Sequence, residues 1–135
     1  MIQNRTKILI KDNSGLLKGT VINSKPRRRV LGHHVKLVIT KAKLKTTGSK
    51  RGVQSKVSQL QDALIIQTNN RIQRYDGSGL RFSSNCGVSI TTNKRKLNLG
   101  FKRIATSCPF EIKRLNNQSA FKGSYNIMKL AKNLL

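Results

Sequence analysis

His33 and His34 are the only imidazoles in the chain, and a histidine pair is a common start for a metal site or a proton relay. Adjacent residues on a strand point to opposite faces, so these two cannot readily share one ion. Cys86 and Cys108 stand apart, with no Cys-x-x-Cys pair to complete a zinc set. They read as reduced, partly buried thiols, with a single disulfide as the alternative. The carboxylates are Asp12, Asp62, Asp76 and Glu111. Asp12 and Asp76 sit in turn contexts and Glu111 at an expected helix start, so each has a structural role at hand. Acid–base catalysis needs two of them converging in one cleft. Ser14 lacks a nucleophile elbow, and Gly48-Ser49-Lys50 lacks the upstream glycine of a phosphate-cradling loop. These residues point away from an enzyme, a metal centre and a cofactor.

The abundant chemistry is positive charge. Lys and Arg number 28 against 4 acids, a formal +24 on 135 residues. Self-repulsion at that density disfavours a compact state unless an anion neutralises it. Basic residues run from Arg5 to Lys132, so this is not a basic tail on a neutral domain. Arg27-Arg28-Arg29 and the Lys43–Lys56 stretch, with Lys50, Arg51 and Lys56, read as phosphate-contacting segments. Aromatics are few and Trp is absent, whereas single-strand binders stack bases on aromatic platforms. Docking on a folded RNA through phosphates and shape fits better. Tyr75 and Phe82 are expected to pack in a hairpin or core, and the two imidazoles to be solvated or RNA-facing.

Short strands must position these groups. Lys7–Lys11 reads as a strand closed by the turn-forming Asp12-Asn13-Ser14-Gly15, and Leu16–Asn23 as a second. Val35, Leu37 and Ile39 alternate with polar or smaller neighbours in a third that runs towards Lys43. Lys43–Ser58 dissolves into Lys, Thr, Ser and Gly, the composition of a mobile basic loop. Ala63-Leu64-Ile65-Ile66 is a run short enough for a strand buried on both faces. Asn69-Asn70 and Asp76-Gly77 mark turns, with further strands at Leu80–Phe82 and Gly87–Thr91. Strands joined by turns rather than helices predict a mainly β fold, a small closed barrel. Ser107, Pro109 and Glu111 suit the start of a short helix. Ile127, Leu130, Ala131 and Leu134 keep helical spacing for a terminal amphipathic helix. The expectation is one domain over 1–135, with the barrel to about 105 and helical segments from about 106. No stretch approaches the roughly twenty apolar residues of a membrane span, and no signal-peptide region opens the sequence.

Ile66-Gln67-Thr68, then Ile72-Gln73-Arg74-Tyr75-Asp76-Gly77-Ser78-Gly79-Leu80-Arg81-Phe82 and Asn85-Cys86-Gly87-Val88-Ser89-Ile90, resemble one family signature. It is that of the universal large-subunit ribosomal protein fourteen: Arg-Arg-x-Asp-Gly-Ser-x-Ile-Arg-Phe followed by an Asn-Ala-x-Val-x-Ile strand. Met1-Ile2-Gln3 with Asp12-Asn13-Ser14-Gly15 resembles the family's opening, and Leu130–Leu135 its end. Ser24–Arg29 is similar to its Ser-x-Arg-Arg element, and Gly100–Lys113 to its Gly-Thr-Arg-Ile-Phe-Gly-Pro stretch. The chain departs at Gln73, which replaces the first Arg of the signature pair, and at Thr106-Ser107, which replace Gly-Pro. The regions 43–58 and 116–123 are longer than in bacterial members.

The resemblance implies a five-stranded-type β-barrel with short C-terminal helices. Its partners would be large-subunit rRNA, neighbouring ribosomal proteins and small-subunit rRNA across the subunit interface. Charge pattern and resemblance together give the expected rRNA-binding set: Arg27, Lys50, Arg51 and Lys56 from the basic runs, and Arg28, Arg29, Arg74, Arg81, Arg103 and Lys113 from positions that match the family. Lys102, Arg103 and Glu111 would face protein partners or the opposite subunit, including an assembly or silencing factor. No catalytic group, cofactor, metal or membrane is implied. Sequence drift and an Asn-, Lys- and Ile-rich composition suggest a mitochondrial ribosome, with a plastid as the alternative. The rival reading from another class is a free-standing nucleic acid chaperone or single-strand binder on an OB-like barrel.

Overall fold

Period-two alternation of Ile, Leu and Val with polar residues sets the architecture, because each strand then offers one apolar face to a shared interior. In the computed structural model, residues 2–23, 31–43, 57–93, 96–99, 103–112 and 124–135 are described. Their strands are β1 (Lys7–Ile10), β2 (Leu16–Asn23), β3 (His34–Ala42), β4 (Leu60–Gln67), β5 (Ile72–Gln73), β6 (Gly79–Leu80), β7 (Cys86–Asn93) and β8 (Lys96–Leu99). One helix, α1 (Ser124–Leu130), lies near the end. The sheet runs β1-β2-β3-β4-β7-β8, and β1 pairs with β7 to close a five-stranded barrel. The closing pair is parallel, with Leu9 opposite Cys86 and Ile10 opposite Gly87, while the other pairs around the ring are antiparallel. β8 extends β7 as a hairpin, and β5 and β6 form a separate two-stranded ribbon.

β4 shows why a short uninterrupted apolar run survives. Ala63, Leu64, Ile65 and Ile66 are all buried, but into different cores. Ala63 and Ile65 join Ile8, Ile10, Val21, Val35, Leu37 and Ile39 inside the barrel. Leu64 and Ile66 face outwards with Cys86, Val88 and Ile90, where Ile104, Cys108, Ile112 and Ile127 cover them. The described residues 103–112 and 124–135 are therefore a lid on the outer face of β4 and β7. Each fully buried Ile contributes about 1.5–3 kcal/mol relative to exposure. Gly87 is required where the seam closes, since a Cβ there would lie 3.0 Å from the Leu64 carbonyl oxygen and 3.4 Å from Ile8.

The lid differs from the sequence expectation in two ways. The expected helix after Ser107 is one 3-10 turn at 110–112, closed by the Ile112 amide on the Pro109 carbonyl at 3.2 Å. The terminal helix stops at Leu130, and Leu134 lies beyond it in a bridge to Cys108, 45% exposed. The reason is backbone pairing. The Ile104 amide donates to Leu130, the Cys108 amide to Asn133, the Leu135 amide to Cys108 and the Phe110 amide to Leu135, at 2.8–3.1 Å. Extended pairing with 104–110 satisfies the backbone groups beyond Leu130 that a further helical turn would have paired internally. The expected strand over Leu80–Phe82 is shorter, and Phe82 lies past β6 as a buried side chain. Of the expected basic loop, 44–56 lies outside the described residues.

Candidate nucleic-acid interface

The β5–β6 ribbon carries the signature residues and is held rigid at its turn. The Arg74 amide donates to Ser78 at 2.9 Å and the Gly77 amide to Arg74 at 3.1 Å. Gly77 adopts φ +82°, which the absence of a Cβ permits. Asp76 accepts from the Ser78 amide at 2.9 Å and hydroxyl at 2.6 Å, and those bonds hold its carboxyl below the usual range. Arg74 projects from this turn onto the lid. Its Nε and Nη2 donate to the two oxygens of Glu111 at 2.5 and 3.2 Å, and Nη2 also donates to the backbone oxygen of Leu135 at 2.9 Å. The hydrogen bond to Glu111 raises the Arg74 pKa further above its ordinary value. Arg74 thus ties the ribbon to the C-terminal segment. Glu111, expected to face a partner, is the half-buried acceptor of that clamp.

Arg81 is exposed, with Nε donating to the backbone and side-chain oxygens of Asn69, both at 3.1 Å. Arg71, which the sequence reading did not single out, is also exposed and lies across Gly79, where a Cβ would stand 2.4 Å from its Nε. Arg103 is exposed at the start of the lid. Arg71, Arg74 and Arg81 therefore lie on or beside one ribbon. Of the remaining expected contacts, Arg27, Arg28, Arg29, Lys50, Arg51, Lys56, Lys102 and Lys113 lie outside the described residues. Tyr75 overturns its expectation: it is 98% exposed at the turn, because the clamp takes Arg74 to the body and leaves its neighbour at the tip. Phe110 and Leu135 are also about half exposed beside the clamp.

The other candidate groups have structural surroundings. Asp12 accepts from the Ser14 amide at 2.8 Å and its hydroxyl, and from the Ser89 amide and hydroxyl at 2.6 Å each, bolting the first turn to β7. Buried Gln67 donates to Thr106 at 2.9 Å and to the Ser107 carbonyl at 2.7 Å, fixing the lid to the barrel. His34 Nε2 lies 3.3 Å from Asp62, while His33 is half-buried and desolvation lowers its pKa. Cys86 and Cys108 are free thiols, both buried; burial raises the first and pushes the second up to about 12. Such thiols are poor nucleophiles.

One basic feature escaped the sequence reading. Lys11, Lys18, Lys41 and Lys43 line a single cleft of about 600 Å³ beside the Asp12–Gly15 turn. Strand register brings them together, and no signal within any one segment points to it.

A closed barrel, a rigid Arg-rich ribbon and exposed cations are suited to binding an extended polyanion. The model of the family described as ribosomal protein L14p/L23e matches residues 1–124. The chain belongs to that family, whose members are structural proteins of the large ribosomal subunit.

Proposed function

We propose that this protein binds large-subunit rRNA directly and helps form the interface with the small subunit of a mitochondrial ribosome. The observation that carries the reading is the distribution of acids. Every carboxylate is engaged within the fold: Asp12 by Ser14 and Ser89, Asp62 by His34, Asp76 by Ser78 and Glu111 by Arg74. The chain holds 28 basic residues against those 4, so most of its positive charge has no counter-charge within it. An RNA backbone supplies that counter-charge and releases its own condensed ions on contact.

In this reading Arg81 and Arg103, with Arg27, Arg28, Arg29, Lys50, Arg51, Lys56 and Lys113, contact phosphates. Arg74 contributes by fixing the ribbon through Glu111. Phe110, Leu135 and Tyr75 suit contact with neighbouring ribosomal proteins beside the clamp, since exposed aromatic and Arg side chains are enriched in such interfaces. Lys102 and Arg103 mark the side on which an assembly or silencing factor and small-subunit rRNA would approach. The Asn-, Lys- and Ile-rich composition supports the mitochondrial assignment. Sedimentation of the tagged protein from mitochondrial lysate, with and without ribonuclease, tests it. Comigration with the large subunit and the whole ribosome, abolished by ribonuclease, is expected. A peak at the top of the gradient, or on heterogeneous RNA, overturns it.

A further inference from the structure

The cleft beside the first turn brings four lysines together with a single acid, Asp12, in its lining. Lys18 on β2 is the register partner of Lys41 on β3, beside a β-bulge, and both line the same cleft. Like charges directly opposite on a sheet are destabilising. Lys43 follows at the end of β3, where its amide donates to Gly15 at 2.8 Å, and Lys11 follows β1, where its amide donates to Gly87 at 3.2 Å. Each backbone is pinned at the wall of the cleft that these residues line. Among the described residues, which include all the chain's carboxylates, none forms an ion pair with these lysines. Asp12 also lines the cleft, its oxygens accepting from Ser14 and Ser89; four lysines against this one acid leave the lining net positive. Leu17 and Ala105 supply apolar wall.

We infer that this cleft is a binding site for a run of the sugar–phosphate backbone of large-subunit rRNA, held by Lys11, Lys18, Lys41 and Lys43. The inference rests on the proposed rRNA-binding function and adds a site and a mode of contact to it. Lysine ammonium groups are compact charges on flexible stems, without the planar fork that fixes a guanidinium on one oxyanion. They extend from three stretches of backbone around the cleft, an arrangement that suits successive phosphates better than one enclosed ion. Contact of this kind positions the RNA without reading its sequence. The Lys18–Lys41 opposition weakens the free protein and is relieved when a phosphate lies between them. The cleft therefore trades stability of the isolated barrel for affinity.

That trade gives the test two independent readouts. The full-length protein is titrated with protein-free large-subunit rRNA between 50 and 200 mM salt, and the same preparations are melted alone. Loss of two phosphate contacts lowers the magnitude of the log–log salt slope by about 1.4–1.8. That drop is expected for Lys18→Gln/Lys41→Gln, with a melting temperature equal to or above that of the parent. Lys11→Gln/Lys43→Gln, which keeps the opposed pair, gives the same drop in slope without the gain in melting temperature. Parental slopes in both double variants overturn the cleft and leave the rRNA-binding function standing. A lower melting temperature for Lys18→Gln/Lys41→Gln also overturns it, by showing that the pair supports the fold. A parent protein with no salt-dependent affinity removes the rRNA-binding function itself, and the cleft with it.

Discussion

The Arg74 clamp and the lysine cleft are both basic, but they solve the problem of charge in opposite ways. At the clamp, a cation meets a carboxylate from an element 37 residues away and joins two parts of the fold. At the cleft, two cations meet across β2 and β3 with no ion pair to a carboxylate, the one acid of the lining, Asp12, being bonded to Ser14 and Ser89. The first arrangement holds the protein together; the second leaves charge without an ion pair among the described residues. In a chain of +24, the number of basic residues says little about which ones are available. The placement of 4 acids decides it.

The largest expected effect breaks the clamp from behind. Ile127 is fully buried in the outer core beneath the segment that carries Glu111. Ile127→Ala should cost about 2–5 kcal/mol, measured by chemical denaturation. It should also expose Cys108 to alkylation in the native state, where the parent thiol is protected by burial. Asp12→Ala removes the bolt under the cleft, which joins the first turn to β7. It leaves the Ser89 amide without its partner and should cost about 1.5–3 kcal/mol.

Glu111→Gln sharpens the contrast most cleanly, because it removes the ion pair that holds Arg74 on the lid. Melting temperature should fall while the salt slope for rRNA steepens by about 0.7–0.9, one added phosphate contact. An unchanged slope would mean that Arg74 stays with the lid whatever its partner. The smallest effect concerns His33. Burial disfavours its charged form, so the folded pKa lies below the ordinary 6.5 while the unfolded chain protonates at that value. Its contribution is therefore intact above about pH 6.5 and declines as pH falls through that value towards the folded pKa. Melting at pH 7.5 and 5.5 should show a small loss that His33→Gln abolishes.

Much of the barrel was legible because local signals and packing agree. Ala63–Ile66 read as a doubly buried strand, and the structure gives each face its own core. Asp12–Gly15 and Asp76-Gly77 read as turns from residue type alone, and both are. Leu134 misled because helical spacing continues through it, while backbone pairing with 104–110 ends the helix at Leu130. Tyr75 misled for a related reason. Hairpin chemistry was visible in Asp76-Gly77, but which side chain would reach the body depended on Glu111. The cleft was invisible because Lys11, Lys18, Lys41 and Lys43 belong to separate segments that only strand register unites. Arg81 was picked from a motif, whereas Arg71 could have been found from Gly79, the position that makes room for it.

Quantitative acetylation of lysines, in the free protein and in intact large subunits, tests most directly whether cations without an internal ion pair face the RNA. The account predicts that Lys11, Lys18, Lys41 and Lys43 are modified readily in the free protein and protected in the subunit. Ribonuclease treatment of the subunits should restore their modification. Equal modification of these lysines in the free and assembled states would contradict it.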